Sequence, residues 1–170
     1  MAEREETLGC LEQRLAGLCE RFWRRNEKRV YIDVPPEHSL EANRIVFDEF
    51  GGRLATATGK DTRDRIEVLY HYCLDARNVV VTIRTWGCKP DPEADSVAQL
   101  FPGANFIERE MQDLLGIKFR NHPDPRRLIL ADDWPQGLYP LRRDYPDRGG
   151  EAQRARLLEL LIGSSTGARP

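Results

Sequence analysis

The stretch from Ile117 to Gly150 constrains this chain more than any other part of it. Pro123, Pro125, Pro135, Pro140 and Pro146 interrupt the stretch. Each removes a main-chain donor and pushes the residue before it away from helix, so no long regular element fits between them. Yet Phe119, Leu128, Ile129, Leu130, Trp134, Leu138, Tyr139, Leu141 and Tyr145 make the segment too apolar for a solvated linker. Long irregular segments are uncommon inside a compact domain. The physical resolution is an extended arm lying on a partner protein, which supplies the burial that the segment cannot provide itself.

The chain has 170 residues, enough for one domain with a tail and for a core built without staples. The reading is an α+β domain over 1–116, the partner-wrapping arm over 117–150, and a C-terminal helix and tail over 151–170. Leu8, Leu11, Leu15, Leu18 and Phe22 recur at three- and four-residue steps and predict one helix, with Arg21, Arg24, Arg25 and Lys28 at its far end. Val30, Ile32 and Val34 alternate with polar neighbours as a first strand, stopped by Pro35 and Pro36. Ser39 is read as the N-cap of a helix carrying Ala42, Ile45, Val46 and Phe50, with Gly51 and Gly52 as its stop. Three strands are expected at 53–59, 66–74 and 79–86, the last two joined as a hairpin through 75–78. Helices packed on one face of a small mixed or antiparallel sheet follow from that order.

Beyond Trp86 come a loop, a helical turn at 96–100, and a helix whose apolar face is Ile107, Met111, Leu114 and Leu115. Asn105 and Glu108 are read as its capping pair and Gly116 as its stop. A last helix is expected around 151–162, followed by a frayed tail.

Reactive chemistry is sparse. Cys10, Cys19, Cys73 and Cys88 form no C-x-x-C pair, so free thiols are favoured over iron–sulfur or zinc ligands. His38, His71 and His122 fall in three different settings, and no zinc-protease, nucleophile-elbow or phosphate-loop motif accompanies them. Glu108, Glu110, Asp113 and His122 make a poor metal set, because residues two apart face different sides of a helix. Asp132 and Asp133 are read as turn acids bonded to local backbone rather than as an acid–base pair.

Lys plus Arg number 26 against 28 Asp plus Glu, a net charge of -2, where a nucleic-acid binder carries a basic excess. No stretch approaches the ~20 apolar residues of a membrane span. The first residues are acidic with no apolar run behind them, so a cytoplasmic protein is expected. Arg126, Arg127, Arg142 and Arg143 lie among Asp124, Asp132, Asp133, Asp144 and apolar anchors, a mixture that favours a protein interface over phosphates.

Three ordered elements then carry a resemblance. Glu108-Arg109-Glu110-Met111-Gln112-Asp113-Leu114-Leu115-Gly116-Ile117, followed by Phe119, resembles the E-R-E-x-x-D-x-x-G-I-x-F signature of the 30 kDa subunit family. That family is shared by respiratory NADH:quinone oxidoreductase (complex I) and energy-converting nickel–iron hydrogenases. His122-Pro123-Asp124-Pro125-Arg126-Arg127-Leu128-Ile129-Leu130 is similar to its H-P-D-x-R-R-x-L element, and Pro140-Leu141-Arg142-Arg143-Asp144-Tyr145-Pro146 to its P-L-R-K-D-[FY]-P ending.

The resemblance implies a non-catalytic structural subunit of a membrane-bound, ion-translocating redox complex, peripheral on the inner face of the cell membrane. Its neighbours would be a large subunit, either a 49 kDa-type chain or a nickel–iron hydrogenase large subunit, and a small iron–sulfur subunit. The family member holds no cofactor; iron–sulfur clusters, with a nickel–iron centre or flavin and quinone, belong to the partners. Gln112, Leu115 and the 132–140 stretch lean the resemblance toward the hydrogenase branch.

In the expected arrangement Glu108, Arg109, Glu110 and Asp113 clamp the start of the arm, and Gly116 lets the chain reverse. His122–Leu130 then begins the crossing onto the large subunit. Arg126, Arg127, Arg142 and Arg143 pair with carboxylates in this chain and across the interface, and Trp134, Leu138 and Leu141 anchor it. Loss of Arg142 is expected to weaken assembly rather than a chemical step.

Overall fold

The structure, a computed structural model, describes residues 2–146 and 151–165, with side chains of the final helix described over 154–162. Helix α1 (Ala2–Leu15) is followed by β1 (Arg21–Asn26), β2 (Arg29–Asp33) and α2 (Ser39–Arg44), which runs into one wide π turn over Ile45–Glu49. Then come β3 (Arg53–Asp61), β4 (Arg65–Leu74), β5 (Val79–Cys88), the short β6 (Glu93–Asp95), α3 (Asn105–Leu115), β7 (Lys118–Arg120) and α4 (Glu151–Ser165). A five-stranded sheet has the order β1-β2-β5-β4-β3; β2 and β5 are parallel and the other pairs antiparallel. Strands β6 and β7 form a separate parallel pair. The α+β class and the mixed sheet agree with the sequence reading.

Alternation explains the sheet. Val30 and Ile32 of β2, Val81 and Ile83 of β5, and Val68, Tyr70 and Tyr72 of β4 are fully buried on one face. Against that face lie Leu8, Leu11 and Leu15 of α1 and Ala42, Ile45 and Val46 of α2 and the π turn. Two polar tethers accompany the apolar packing. The Tyr72 hydroxyl donates to Asn43 Oδ1 at 2.7 Å, and Asn43 Nδ2 donates to the Ser39 carbonyl at 2.7 Å. Asn78, in the left-handed region at φ 52°, closes the β4–β5 connection, as the polar 75–78 run predicts.

Four local readings are corrected. The first helix stops at Leu15, whose carbonyl accepts from the Leu18 and Cys19 amides, and Arg21–Asn26 is a strand. Leu18 and Phe22 still pack on the core, from a turn and from a strand opposite Ile32, so helical spacing persists without a helix. Ser39 is the first residue of α2 rather than its cap, and its backbone and side chain serve Asn43. Asn105 likewise opens α3 without capping it, and Glu108 faces inward. The last helix continues to Ser165; the rest of the expected tail, and arm residues 147–150, lie outside the described residues.

Helix α3 lies close to β3 because of Gly59. A Cβ built there meets Leu115 Cδ1 at 2.2 Å and Met111 Cγ at 3.2 Å. Gly59→Val is expected to lower stability by roughly 1–3 kcal/mol through overpacking, read as a lower denaturation midpoint in urea. Gly103→Val, with nothing within 4 Å of its Cβ position, is the control.

Candidate docking site

The sequence signature sits on α3, and three of its side chains hold the chain that follows. Glu108 is fully buried. Its Oε1 accepts from the Tyr70 hydroxyl at 2.8 Å and the Val97 amide at 2.7 Å, and its Oε2 accepts from Ser96 Oγ at 2.5 Å. His122 places Nε2 3.6 Å from the same Oε2, while its Nδ1 accepts the Asp124 amide at 3.0 Å. With Nδ1 an acceptor, the proton of a neutral ring lies on Nε2, toward Glu108. Burial pushes the Glu108 carboxyl above the usual range, opposed by the Ser96, Val97 and Tyr70 donors. One carboxylate thus joins the sheet, the turn before α3 and the start of the arm.

Arg109 and Asp113, one turn apart, grip the next residues. The Arg109 guanidinium donates to the carbonyls of Arg126 at 2.8 Å and Arg127 at 2.9 Å, and pairs with Asp124 at 3.1 Å. Asp113 Oδ2 accepts the amides of Leu128, Ile129 and Leu130 at 2.8, 2.8 and 3.2 Å. Donor and acceptor are divided by charge: a guanidinium takes carbonyls, and a carboxylate takes the amides that follow.

Gly116 then reverses the chain at φ +68°, and the Tyr139 ring lies where a Cβ would stand, at 2.3 Å. Over that turn Arg142 donates to the carbonyls of Leu115 at 2.7 Å and Gly116 at 3.3 Å, closing the end of α3. The Leu141 amide bonds the Leu114 carbonyl, and the Arg143 amide donates to Asp61 Oδ2 at 2.7 Å.

The arginines therefore do less carboxylate pairing than the sequence suggests. Arg126 makes a two-pronged pair with Asp124, but Arg127 donates to the carbonyls of Ala131 and Trp134, and Arg142 to those at the end of α3. Main-chain carbonyls left open by an irregular segment carry no sequence signature. Glu110, Pro123, Asp133, Arg143 and Asp144 are exposed, and Pro140 is half-buried. Asp132 and Asp133 stand in the turn closed by the Trp134 amide on the Ala131 carbonyl, as read, but their carboxylates bond no backbone group among the described residues.

Trp134 is half-buried and donates to the Leu138 carbonyl at 2.8 Å, while Leu138 is buried. By contrast Leu128, Ile129 and Leu141 remain 36%, 54% and 48% exposed. The arm's main chain is fixed on α3 while Leu128, Ile129 and Leu141 face outward. Ser96 and Tyr70 are the site residues the sequence reading missed. Both lie outside the signature, and only the fold brings them to Glu108.

Chemically, the arrangement holds backbone. His122 and Glu108 do meet, but both side chains have 0% exposure, so no substrate reaches them. Among the described residues no three His, Cys, Asp or Glu side chains are placed to hold a metal ion.

Replacing Asp113 with Ala leaves three amides without their acceptor and is expected to lower stability by roughly 3 kcal/mol. Faster tryptic cleavage after Arg126 and Arg127 would accompany it, and Asp113→Asn, which keeps one oxygen, should fall between. Unchanged cleavage in Asp113→Ala would remove this account of the grip. Asp124 supplies a pH test. Its hydrogen bonds from Arg126, then the nearby Arg109 charge, hold its carboxyl at about 2. A depressed carboxylate stabilises fully above its unfolded value of ~3.9 and loses that contribution as pH falls toward 2. Asp124→Asn should flatten that acid limb in thermal melts between pH 4 and 2 and leave the slope near pH 7 unchanged.

Known proteins resemble this chain along most of its length. The C subunit of the NADH-quinone oxidoreductase of Citrifermentans bemidjiense is 30% identical over 162 residues, covering 90% of this chain and 96% of that protein. The C subunit of the F(420)H(2) dehydrogenase of Methanosarcina mazei is 38% identical over 94 residues, covering 54% of this chain and 59% of that protein. The chain spans less than two thirds of the length of several other curated relatives it matches, down to 14%.

Among solved structures, one from the membrane-bound sulfane sulfur reductase, an archaeal respiratory membrane complex, shares the fold. Its TM-score is 0.74 at 21% identity, covering 94% of this chain and 93% of that one. The family model "Respiratory-chain NADH dehydrogenase, 30 Kd subunit" matches residues 32–151, a span from the end of β2 through the gripped arm, and this chain belongs to that family.

Proposed function

We propose that the chain is an accessory, non-catalytic subunit of a complex-I-like membrane redox complex, and that α3 and the arm are its docking device for the large subunit. The observation that carries this reading is the division of labour along 126–142. Arg109, Asp113 and Arg142 take up the main chain, while Leu128, Ile129 and Leu141 are displayed outward. Exposed aliphatic groups on a pre-ordered backbone lose little entropy on binding, which favours a stable interface. A cleft of about 370 Å³ beside them, lined by Asp113, Arg127, Trp134 and Leu138, offers room for a partner side chain. The small iron–sulfur subunit is the second neighbour in this reading. Electron-carrying groups belong to the partners, and membrane contact is made through them. No helix among the described residues is long and apolar enough to cross a membrane.

The names of the relatives support the dehydrogenase and quinone-reductase type of complex. The hydrogenase lean of the sequence reading rests on Gln112, Leu115 and the 132–140 stretch, and draws no specific support from them.

Purification of the tagged chain from native membranes in mild detergent, with mass spectrometry and metal analysis, tests both levels. A large subunit and a small iron–sulfur subunit are expected to co-purify. Nickel in the large subunit would return the hydrogenase branch, and recovery of the chain alone would overturn the docking reading. Because Arg127 and Arg142 serve the fold, the interface itself is probed at Leu128 and Ile129. The Leu128→Asp, Ile129→Asp double variant should keep the melting temperature of the isolated chain and lose at least tenfold of the co-purified large subunit.

A further inference from the structure

The second face of the sheet carries a charge pattern that the arm does not explain. Cross-strand partners place Trp23, Tyr31, Thr82, His71 and Thr56 in one row, and Arg21, Asp33, Arg84, Leu69 and Thr58 in the next. None of these side chains belongs to the hydrophobic core, although Thr82 and Asp33 are buried. Two carboxylates lie under arginines: Arg84 holds Asp33 by bonds of 2.8 and 2.6 Å, and Arg65 reaches Glu67 at 3.1 Å. Strand β1 bounds this face, and its outward main-chain groups pair with no strand among the described residues. Around that edge Arg21, Arg25, Lys28 and Arg29 are exposed beside Glu20 and Glu27, with Arg24 paired to Glu5, although the whole chain is net -2. Positive charge is therefore gathered at one sheet edge of an acidic protein.

The aromatic rings narrow the choice of occupant. Trp23 stacks on Tyr31 with centroids 4.5 Å apart and has the Arg21 guanidinium 5.4 Å from its centre; Arg65 stands 4.5 Å over Trp86. Rings already covered by a neighbouring ring or a guanidinium are poor platforms for nucleobases, and Asp33 and Glu67 sit where phosphates would cross. Carboxylates reach the free edges of guanidiniums without displacing those stacks.

We propose that β1 and the cations around it form a second docking edge, taken by an extended, Asp- and Glu-rich segment of a partner subunit. The segment adds to the sheet as a strand beside β1: backbone bonds supply the attachment, and its carboxylates meet Arg21, Arg25 and Arg29. This rests on the reading of the chain as a subunit of a larger complex.

The test uses the assembled complex. A photo-crosslinking benzoylphenylalanine replaces Arg25 in one strain and Ile129 in another, the second reporting on the arm. The expected result is an adduct from position 25 to an acidic segment of another subunit. Its yield should fall at least fivefold in Arg21→Glu, Arg29→Glu and in 0.5 M salt, while the Ile129 adduct to the large subunit stays unchanged. An Ile129 adduct with none at position 25, as expected of cations that only guard a bare edge, would overturn the proposal and leave the arm reading intact. A nucleic-acid adduct, or one to a neutral segment insensitive to salt, would also overturn it. An adduct at 25 without one at 129 would support this edge and remove the arm reading.

Discussion

One buried carboxylate organises the half of the molecule that carries the proposed docking site. Glu108 lies at the meeting point of the sheet, the turn ahead of α3 and the first residues of the arm, and each supplies a donor or a ring directed at it. A charge taken that far from water is tolerated only where its lone pairs are met, and a half-satisfied network would be worse than an apolar contact. The position of α3 on the sheet, and of His122 against α3, is consequently set by bond geometry as well as by apolar packing. Arg109 and Asp113 extend the arrangement along one side of the helix, each reading main chain rather than side chains.

This explains how a proline-rich, apolar segment is kept in order. The segment has no ladder of its own, so its carbonyls and amides need outside partners. Helix α3 supplies a cation for the carbonyls and an anion for the amides, and Arg142 returns to close the helix's own end. The result resembles a strap whose inner side is polar and whose outer side is greasy. In the proposed docking, such a segment would cost little to order. The sequence reading placed the partner's role too early: part of the burial and most of the arginine bonding are internal.

Much of the site was legible because its residues lie in short, ordered motifs on one helix and the loop after it. Asp113 and Arg109 share a helix face by spacing alone, and Gly116 is readable as a left-handed stop. What escaped were residues brought in from afar. Tyr70 lies on β4 and Ser96 in a turn, and nothing in their local sequence points at Glu108. Asn105 and Glu108 fitted a capping pair by spacing, yet the carboxylate found better donors across the fold. A side chain with two possible sets of partners is decided by whichever set tertiary packing delivers.

By itself the sequence determined the class of fold, the strand runs of the sheet, the irregularity of the arm and the family signature, because these rest on periodicity, proline and glycine chemistry and ordered motifs, all of which are local. Tertiary structure decided where the first helix ends, that Arg21–Asn26 pairs as an edge strand beside β2, and which groups the arginines hold. Those outcomes depend on long-range partners: Phe22 faces Ile32 in β1–β2, and Arg142 reaches carbonyls more than twenty residues earlier. Periodicity reports which side chains are buried, whereas only the assembled fold says from what backbone they are buried and what they meet there.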